Sequence, residues 1–269
     1  MRTNPVIAQM LRHRSIRKYQ ARRPSRQTVE AIVRAGQAAA YAAQLYSLVL
    51  TAERRKNPFN APLLFTVCID LHKMEQIMRR RGWRWEANDL HGLLFGAQDA
   101  AYMTQNMILA AESLGLGTCL LGGAPYAARA LARKLSLPKR VFPLVQLAMG
   151  YPAEDPTARP RYPLDFVLFR NSYQKLGPAR VQKAMEVMDK GFLAQDYYKK
   201  PKLMLALTGG RRETYTFDDY SWTEHQSRKW GQWAKDLGQL VKIFRSRGFR
   251  LEPKRKSKDE LWAGWKTRL

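Results

Sequence analysis

The 269-residue chain is poor in the residues that many catalytic and metal-binding sites require. Its two cysteines, Cys68 and Cys119, lie in apolar runs and lack the spacing of a zinc site or a disulfide framework, so both are expected in the core. The four histidines, His13, His72, His91 and His225, show no HxxxH or HExxH pattern. The sequence also contains no Walker loop and no GxSxG motif. The sequence therefore predicts no metal site and no side chain acting as a catalytic nucleophile.

Long hydrophobic runs are also missing. The best candidate, MILAAESLGLGTCLLGG, is interrupted by Glu112 and by glycines, so it falls short of the roughly 20 apolar residues that a membrane helix needs. No apolar segment of the signal-peptide type is found. Together with the two unpaired thiols, this predicts a protein of the reducing cytoplasm that does not enter the membrane.

Acidic residues are scarce compared with basic ones. The chain has 47 Lys and Arg against 22 Asp and Glu, which gives a formal net charge of +25. A field of this sign attracts nucleic acids, and it equally suits an enzyme that binds phosphorylated cofactors. Charge alone leaves both classes open.

Hydrophobic periodicity predicts alternating helices and apolar strands along the first two thirds of the chain. Helices are expected over 4–13, 26–40, 91–114 and 125–135, and strands over 45–52, 63–71, 117–123 and 141–151. The strand at 63–71 is an almost unbroken apolar run, as in a sheet that is covered on both faces. This pattern predicts a layered α/β or α+β fold.

The composition changes after residue 178, where aromatic and charged residues replace aliphatic runs. Helices are expected over 180–195 and 222–247, and residues 252–269 form a basic tail. We therefore divide the chain into a core of 1–177, a helical arm of 178–251 and a flexible tail of 252–269.

The glycines of GLGLGTCLLGG do not form a dinucleotide fingerprint, because they follow a helix and open a strand. Gly115 and Gly117 are instead expected to turn the chain at a helix end. Gly122 and Gly123 follow the strand, where the missing side chains would let a flat ligand approach the backbone.

Three short basic motifs have the form of anion sites. In RPR the side chains of Arg159 and Arg161 are expected on one side of an extended segment, where they could form a fork for a phosphate. HRSIR at 13–17 places a hydroxyl among cations, and GGRRETY at 209–215 resembles an anion-binding turn. Each motif taken alone is equally typical of a solvated basic loop.

The ordered set of these motifs resembles the FMN-dependent nitroreductase family, and especially its NADPH nitroreductase and flavin reductase branch. The resemblance rests on HRSIR, QDAAYMTQNMILAAESLGLGT, LLGG, LVQLAMGYPAEDP, RPRYP and NSYQ in that order. It covers about residues 4–173 well and 196–250 more loosely. It implies a nitroreductase-like central mixed sheet flanked by helices, in an intertwined homodimer that binds FMN at its interface.

The resemblance also implies roles for individual residues. FMN would contact His13, Arg14, Ser15, Arg17, Leu121, Gly122, Gly123, Arg159 and Arg161. Arg17 would face the pyrimidine edge of the flavin, Leu121–Gly123 would line the ring, and the remaining residues would hold the phosphate or ribityl chain. Arg211 and Arg212 would face the phosphates of NADPH. The flavin itself would carry out the redox step, which leaves no protein side chain with a catalytic role.

Two segments depart from the family pattern. The segment after the second helix, AAAYAAQ (38–44), has alanines at Ala38–Ala40 where relatives carry Ser or Asn near the flavin. The connection at 53–62 is too short for the helix that relatives carry there. The expected reaction is transfer of a hydride from NADPH, or less favourably NADH, through flavin N5 to a small-molecule acceptor: a nitroaromatic, a quinone or a flavin.

Two alternatives stay open at the level of sequence. One keeps the fold but changes the flavin reaction, for example to dehalogenation. The other is a protein that binds nucleic acid through its charge and through the tryptophans of the C-terminal region, Trp222, Trp230, Trp233, Trp262 and Trp265. Packing is the favoured role of these rings, and any contact with nucleic acid would be non-specific.

Overall fold

The computed structural model describes residues 4–232 and 237–251. The helices are α1 Pro5–Leu11, α2 Arg26–Gln37, α3 His72–Arg80, α4 Asp89–Ser113, α5 Ala128–Lys134, α6 Leu164–Val167, α7 Pro178–Leu193, α8 Trp222–Gly231 and α9 Leu237–Ser246. The strands are β1 Tyr46–Thr51, β2 Leu63–Asp70, β3 Gly117–Leu121 and β4 Val141–Gly150.

The strands form one sheet in the order β1-β2-β4-β3, in which neighbouring strands run antiparallel. A parallel element comes from the N-terminal segment, where Ser15 forms an isolated bridge with Thr118 of β3. The predicted α+β fold with a helix-flanked sheet is confirmed. The register of β2 on β4 shifts between Val67 and Cys68, opposite Pro143. Proline lacks an N–H, and such an irregularity is where a strand tolerates it.

The described residues fall into two compact units. The first comprises Ser15–Asp155 with the described residues of 1–11 and 238–269, and the second comprises Arg12–Arg14 with Pro156–Leu237. The predicted boundary at residue 177 falls inside the second unit. The predicted tail over 252–269, with Trp262 and Trp265, lies outside the described residues, as does Trp233.

In the first unit the core forms where α2 and α4 pack on the sheet. Every residue of β2 is buried, which explains its continuous apolar run. Met103 and Met107 of α4 contact a buried layer that includes Phe65 and Leu147. Helix α2 begins where Ser25 Oγ accepts a hydrogen bond from the N–H of Thr28 (3.0 Å), which satisfies a free donor of the first turn. Both cysteines are buried in this unit and are unpaired.

The second unit has an aromatic core between α7 and α8. Phe192 and Trp222 stack with ring centroids 6.0 Å apart, and Tyr220 and Tyr198 are almost fully buried beside them. Trp222 therefore acts in packing, whereas Trp230 is 71% exposed. The single helix predicted over 222–247 is described as α8 and α9, with 233–236 outside the described residues.

Candidate functional site

The segment that contains Ser15 and Arg17 runs along the edge of the sheet in the first unit. The N–H of Ile16 donates to the carbonyl of Thr118 (2.8 Å), and the N–H of Gln20 donates to the carbonyl of Tyr151 (2.9 Å). Gly117 makes this approach possible, because a Cβ there would lie 2.5 Å from Ile16 Cγ1. Gly117 is thus a packing glycine of β3, and the expectation that it turns the chain is wrong. Gly115, with φ +75°, makes that turn.

A carboxylate that the sequence analysis missed fixes the backbone around Arg17. Glu154 Oε1 accepts hydrogen bonds from the N–H groups of Arg17 and Lys18, the latter at 3.0 Å. The Cys119 thiol of β3 lies near both residues: the Arg17 charge and a hydrogen bond with Ser15 lower its pKa, but burial has the larger effect and raises it. Ser15 and Arg17 are therefore held at the β3 edge. Glu154 follows a strand as part of an AED sequence, and only the pairing of two distant segments reveals its role.

The end of β3 exposes bare backbone. A Cβ added to Gly122 or Gly123 would meet no atom within 4 Å, and neither residue has a positive φ. Within the described part of the chain, their N–H groups donate no hydrogen bond. Leu121 is half-buried next to them. Open space over unused donors is what a planar ligand needs for close contact with the main chain.

In the second unit, the RPR motif does not present its two arginines equally. Arg159 is half-buried, donates from Nη1 to Gln195 Oε1 and lies 4.1 Å from the ring centroid of Tyr197. Arg161 is exposed and donates to the carbonyls of Arg159 and Pro160 at 2.9 and 3.0 Å. Arg159 is thus fixed by side chains, whereas Arg161 folds over its own segment. Their joint action on one phosphate stays a prediction.

His13 and Arg14 belong to the second unit and are both half-buried. Arg14 Nη1 donates to the carbonyl of Arg12 (3.2 Å), which turns this side chain back along the chain. Their predicted contact with FMN stays a prediction.

The loop with Arg211 and Arg212 is anchored on both sides. Before it, the N–H of Thr208 donates to Gln232 Oε1 (2.7 Å). After it, Glu213 receives a bidentate hydrogen bond from Arg228 at 2.6 and 2.7 Å, which lowers the pKa of Glu213 to about 2. Gly209 and Gly210 turn the chain with φ of +70° and +72°. Both arginines are exposed at the tip of this fixed loop.

The alanine-rich segment 38–44 is tied to α4 by a second carboxylate that the sequence analysis missed. Asp99 is 1% exposed, and its oxygens accept the N–H groups of Ala42 (2.6 Å), Ala43 (3.1 Å) and Leu45 (2.9 Å). An aspartate in the mostly apolar stretch GLLFGAQDAAYM was the signal that could have identified it, because a buried carboxylate needs several donors.

The short connection at 53–62 forms two single 3-10 turns, Arg54–Lys56 and Pro58–Asn60. Asn57 is buried between them, and its side chain donates to the carbonyls of Thr51 (3.1 Å) and Ala61 (3.0 Å). The segment is therefore a compact loop held by the side chain of Asn57.

Over residues 4–232 and 237–251, no group of three or more His, Cys, Asp or Glu is placed to hold a metal ion. No helix in this same part of the chain is both long enough and apolar enough to cross a membrane.

Comparison with known proteins gives a consistent result. Residues 49–151 match the model of the nitroreductase family. The FMN reductase (NADPH) of Bacillus subtilis is 27% identical over 252 residues, which cover 87% of this chain and 98% of that protein. The oxygen-insensitive NADPH nitroreductase of Salmonella typhimurium is 31% identical over 187 residues, covering 64% of this chain and 76% of that protein.

The fold agrees with the sequence relationship. The structure of B. megaterium NfrA2 superposes with a TM-score of 0.78 at 25% identity, and the match covers 93% of this chain and all of that one. This chain therefore shares both its fold and its sequence with these relatives over most of their length. The chain belongs to the nitroreductase family.

Proposed function

We propose that the chain is an FMN-dependent oxidoreductase that uses NADPH or NADH to reduce a nitroaromatic, quinone or flavin acceptor. Membership of the family supports this function, and the names of the Bacillus and Salmonella relatives include FMN, NADPH and nitroreductase. The observation that carries it is the open backbone with unused N–H donors at Gly122 and Gly123, at the end of β3, the strand that the Ser15–Arg17 segment pairs with at Thr118.

The residues of the first unit fit an isoalloxazine ring. The free N–H groups at 122 and 123 would donate to the ring, and Leu121 would supply an apolar contact. Arg17, held by its backbone bond to Glu154, would place a positive charge at the pyrimidine edge, where it stabilises negative charge on the reduced ring. Ser15 would donate a hydroxyl hydrogen bond. When bound, FMN supplies hydride acceptance at N5 and electron delivery to the acceptor.

From the second unit we assign His13, Arg14, Arg159 and Arg161 to the phosphate end of FMN. A phosphate carries nearly two negative charges and requires several donors, which guanidinium groups provide as forks. Gln195 and Tyr197 fix the orientation of Arg159 before any ligand binds.

Arg211 and Arg212 are assigned to the phosphates of NADPH. Their loop is fixed at Thr208 and Glu213, while both guanidinium groups extend into solvent. A dinucleotide with an additional 2′-phosphate gains more from such cations than NADH does, which supports a preference for NADPH.

We further assign the protein to a homodimer. Helix α1 exposes four apolar side chains at 46–74% of their surface: Val6, Ile7, Met10 and Leu11. Helix α4, which α1 contacts through Gln9 Nε2 and the carbonyl of Leu109, exposes Leu90, Leu94, Phe95 and Tyr102. Exposed apolar side chains on two helices that contact each other are typical of an obligate interface.

The function is tested with an absorption spectrum of the purified protein after incubation with FMN and removal of free flavin. We expect a bound flavin spectrum that bleaches when NADPH is added under argon and returns when an acceptor is added. Turnover with a nitrofuran, a quinone and free FMN then identifies the acceptor class. The proposal is contradicted if the protein retains no FMN, or if NADPH does not reduce the bound FMN. If the protein releases halide from a haloaromatic but reduces neither a nitro compound nor a quinone, its reaction is dehalogenation instead.

A further inference from the structure

A region of the first unit outside the residues assigned to the flavin is strongly cationic. The sequence contains no Asp or Glu between Glu112 and Glu154, and none over residues 237–251. Of the cations in these stretches, Arg140 is neutralised by Asp89 and Glu75. The others include two arginines of α5 and several cations on and after α9.

An open surface groove of about 450 Å³, here called the α5–α9 groove, lies between α5 and the end of α9. It is lined by Arg129, Ala132, Arg133, Leu137, Ser246 and Arg247. Arg129 and Arg133 lie one helical turn apart, so both project from the same face of α5. The volume lies in the range of small-molecule sites, and the lining contains no carboxylate.

Arg247 is a buried cation without a countercharge. It is 8% exposed, and burial lowers its pKa. Its guanidinium is held by main-chain carbonyls: Nε donates to Val141 (3.2 Å), and Nη2 donates to Leu137 (2.8 Å) and Pro138. Among the described residues, Nη1 has no hydrogen-bond partner and no carboxylate pairs with this side chain. An anion in the groove would offset the cost of burying this charge.

The two arginines of α5 complement this fixed group. Arg129 is oriented by hydrogen bonds from Nε to Ser246 Oγ and from Nη2 to the carbonyl of Lys242, both 3.3 Å. Arg133 is exposed and makes no ion pair with any described residue. One buried arginine, one oriented arginine and one free arginine therefore surround the same space.

We propose that the α5–α9 groove binds the phosphate group of a small phosphate monoester. A dianionic phosphate is matched by several guanidinium donors. The groove is larger than a free phosphate requires, and Ala132 and Leu137 offer an apolar surface to the organic part of the ligand. None of these residues is among those assigned to FMN or NADPH.

The test uses the FMN-saturated full-length protein and calorimetric titration with AMP, adenosine and inorganic phosphate. An Arg211→Ala/Arg212→Ala background removes the arginines assigned to NADPH. We expect saturable binding of AMP, weaker binding of phosphate and none of adenosine. Arg133→Ala should weaken AMP binding at least tenfold, because a charge-assisted hydrogen bond is lost. Arg34→Ala, which removes an exposed arginine of α2, is the matched control and should have no effect.

Three outcomes would overturn the proposal. These are no saturable binding of AMP, equal binding in the Arg133→Ala and Arg34→Ala proteins, or binding of a thymidine oligonucleotide while AMP fails to compete. The last would identify a phosphodiester backbone as the ligand. Arg133→Ala should retain flavin reduction by NADPH, which separates this test from the test of the proposed function.

Discussion

At the scale of the residue, the glycines in β3 and directly after it serve opposite purposes. Gly117 is covered, because Ile16 occupies the place where a side chain would be. Gly122 and Gly123 face open space, so no contact within the described chain explains the absence of a side chain. For Gly122 and Gly123, at the end of β3, we attribute this open space to the proposed flavin.

Gly122→Val tests this explanation. The added side chain meets no protein atom, so stability should change by less than about 0.5 kcal/mol, as for an ordinary surface substitution. The affinity for FMN should fall at least tenfold, because the isopropyl group would occupy the space assigned to the ring. Fluorescence titration of the apoprotein with FMN measures the loss. Gly231→Val, also in open space, is the control, and equal FMN affinity in all three proteins would contradict the assignment.

Arg211→Ala and Arg212→Ala should each raise KM for NADPH about tenfold with little change for NADH. The reason is the loss of a charge-assisted contact to a phosphate, worth roughly 1.5–3 kcal/mol. Steady-state kinetics with both donors provide the measurement. Arg170→Ala removes an exposed arginine of the same unit as a control, and an equal effect of the loop substitutions on both donors would argue against recognition of the 2′-phosphate.

At the scale of the element, α4 both forms the core and shapes a loop. Its methionines pack on the sheet, and Asp99 fixes the backbone of 42–45 through three hydrogen bonds. The alanines of this segment are therefore held in place by α4 although their own side chains offer no polar contact. The conformation of the loop depends on a residue more than fifty positions away.

Asp99→Asn should destabilise the protein by about 1–3 kcal/mol, because the amide turns donors toward backbone N–H groups and leaves buried donors unsatisfied. Thermal unfolding of the FMN-free protein measures the loss. Asp165→Asn, at an exposed ion pair with Lys183, is the control and should cost less than about 1 kcal/mol. Similar losses in the two variants would mean that the Asp99 contacts contribute little.

Most elements were predictable because they depend on local pattern. Ser25 before α2, the apolar run of β2 and the broad apolar surface of α4 each indicate their structure without reference to distant residues. The contacts of Glu154 and Asp99 were not predictable, since each receives donors from residues 54 to 137 positions away. The exposed tip at Arg211 was predictable from its glycines, whereas its anchoring by Arg228 was not.

At the scale of the whole molecule, one buried ion cluster joins distant parts of the first unit. Arg140, just before β4, contacts Glu75 of α3 and Asp89 of α4 and donates to the carbonyl of Gly248 (3.2 Å). Asp89 also accepts the N–H of Arg250. Burial alone would raise the pKa of Asp89, but these hydrogen bonds outweigh it and hold the pKa below its ordinary value.

This cluster predicts a dependence of stability on pH. Because the folded-state pKa of Asp89 lies below its unfolded value of about 3.9, its contribution is fully present above that pH and is lost on acidification through the folded pKa. Asp89→Asn should cost about 3–5 kcal/mol at pH 7, as expected for a broken buried pair. Urea unfolding from pH 7 to pH 3 should show this difference shrinking, and a constant difference would contradict it.

The assembly is tested at the exposed face of α4. Leu94→Glu should convert the dimer into a monomer and lower retention of FMN, because a charge is placed in the proposed interface. Sedimentation velocity gives the mass and absorbance gives the flavin content. Ile77→Glu on α3, with a similarly exposed side chain, is the control. A wild-type protein that sediments as a monomer would refute the homodimer outright.

The bridge between Ser15 and Thr118 has one more consequence. Strand β3 is the last in the sheet, and an outermost strand with vacant amides invites pairing with foreign chains and fibre growth. The segment from Ser15 to Gln20 covers that border at Thr118 and then pairs with Tyr151 and Pro152, the residues that follow β4. Ser15, which is assigned to the cofactor, thus also covers part of this border, so we expect loss of the segment to lower solubility as well as flavin binding.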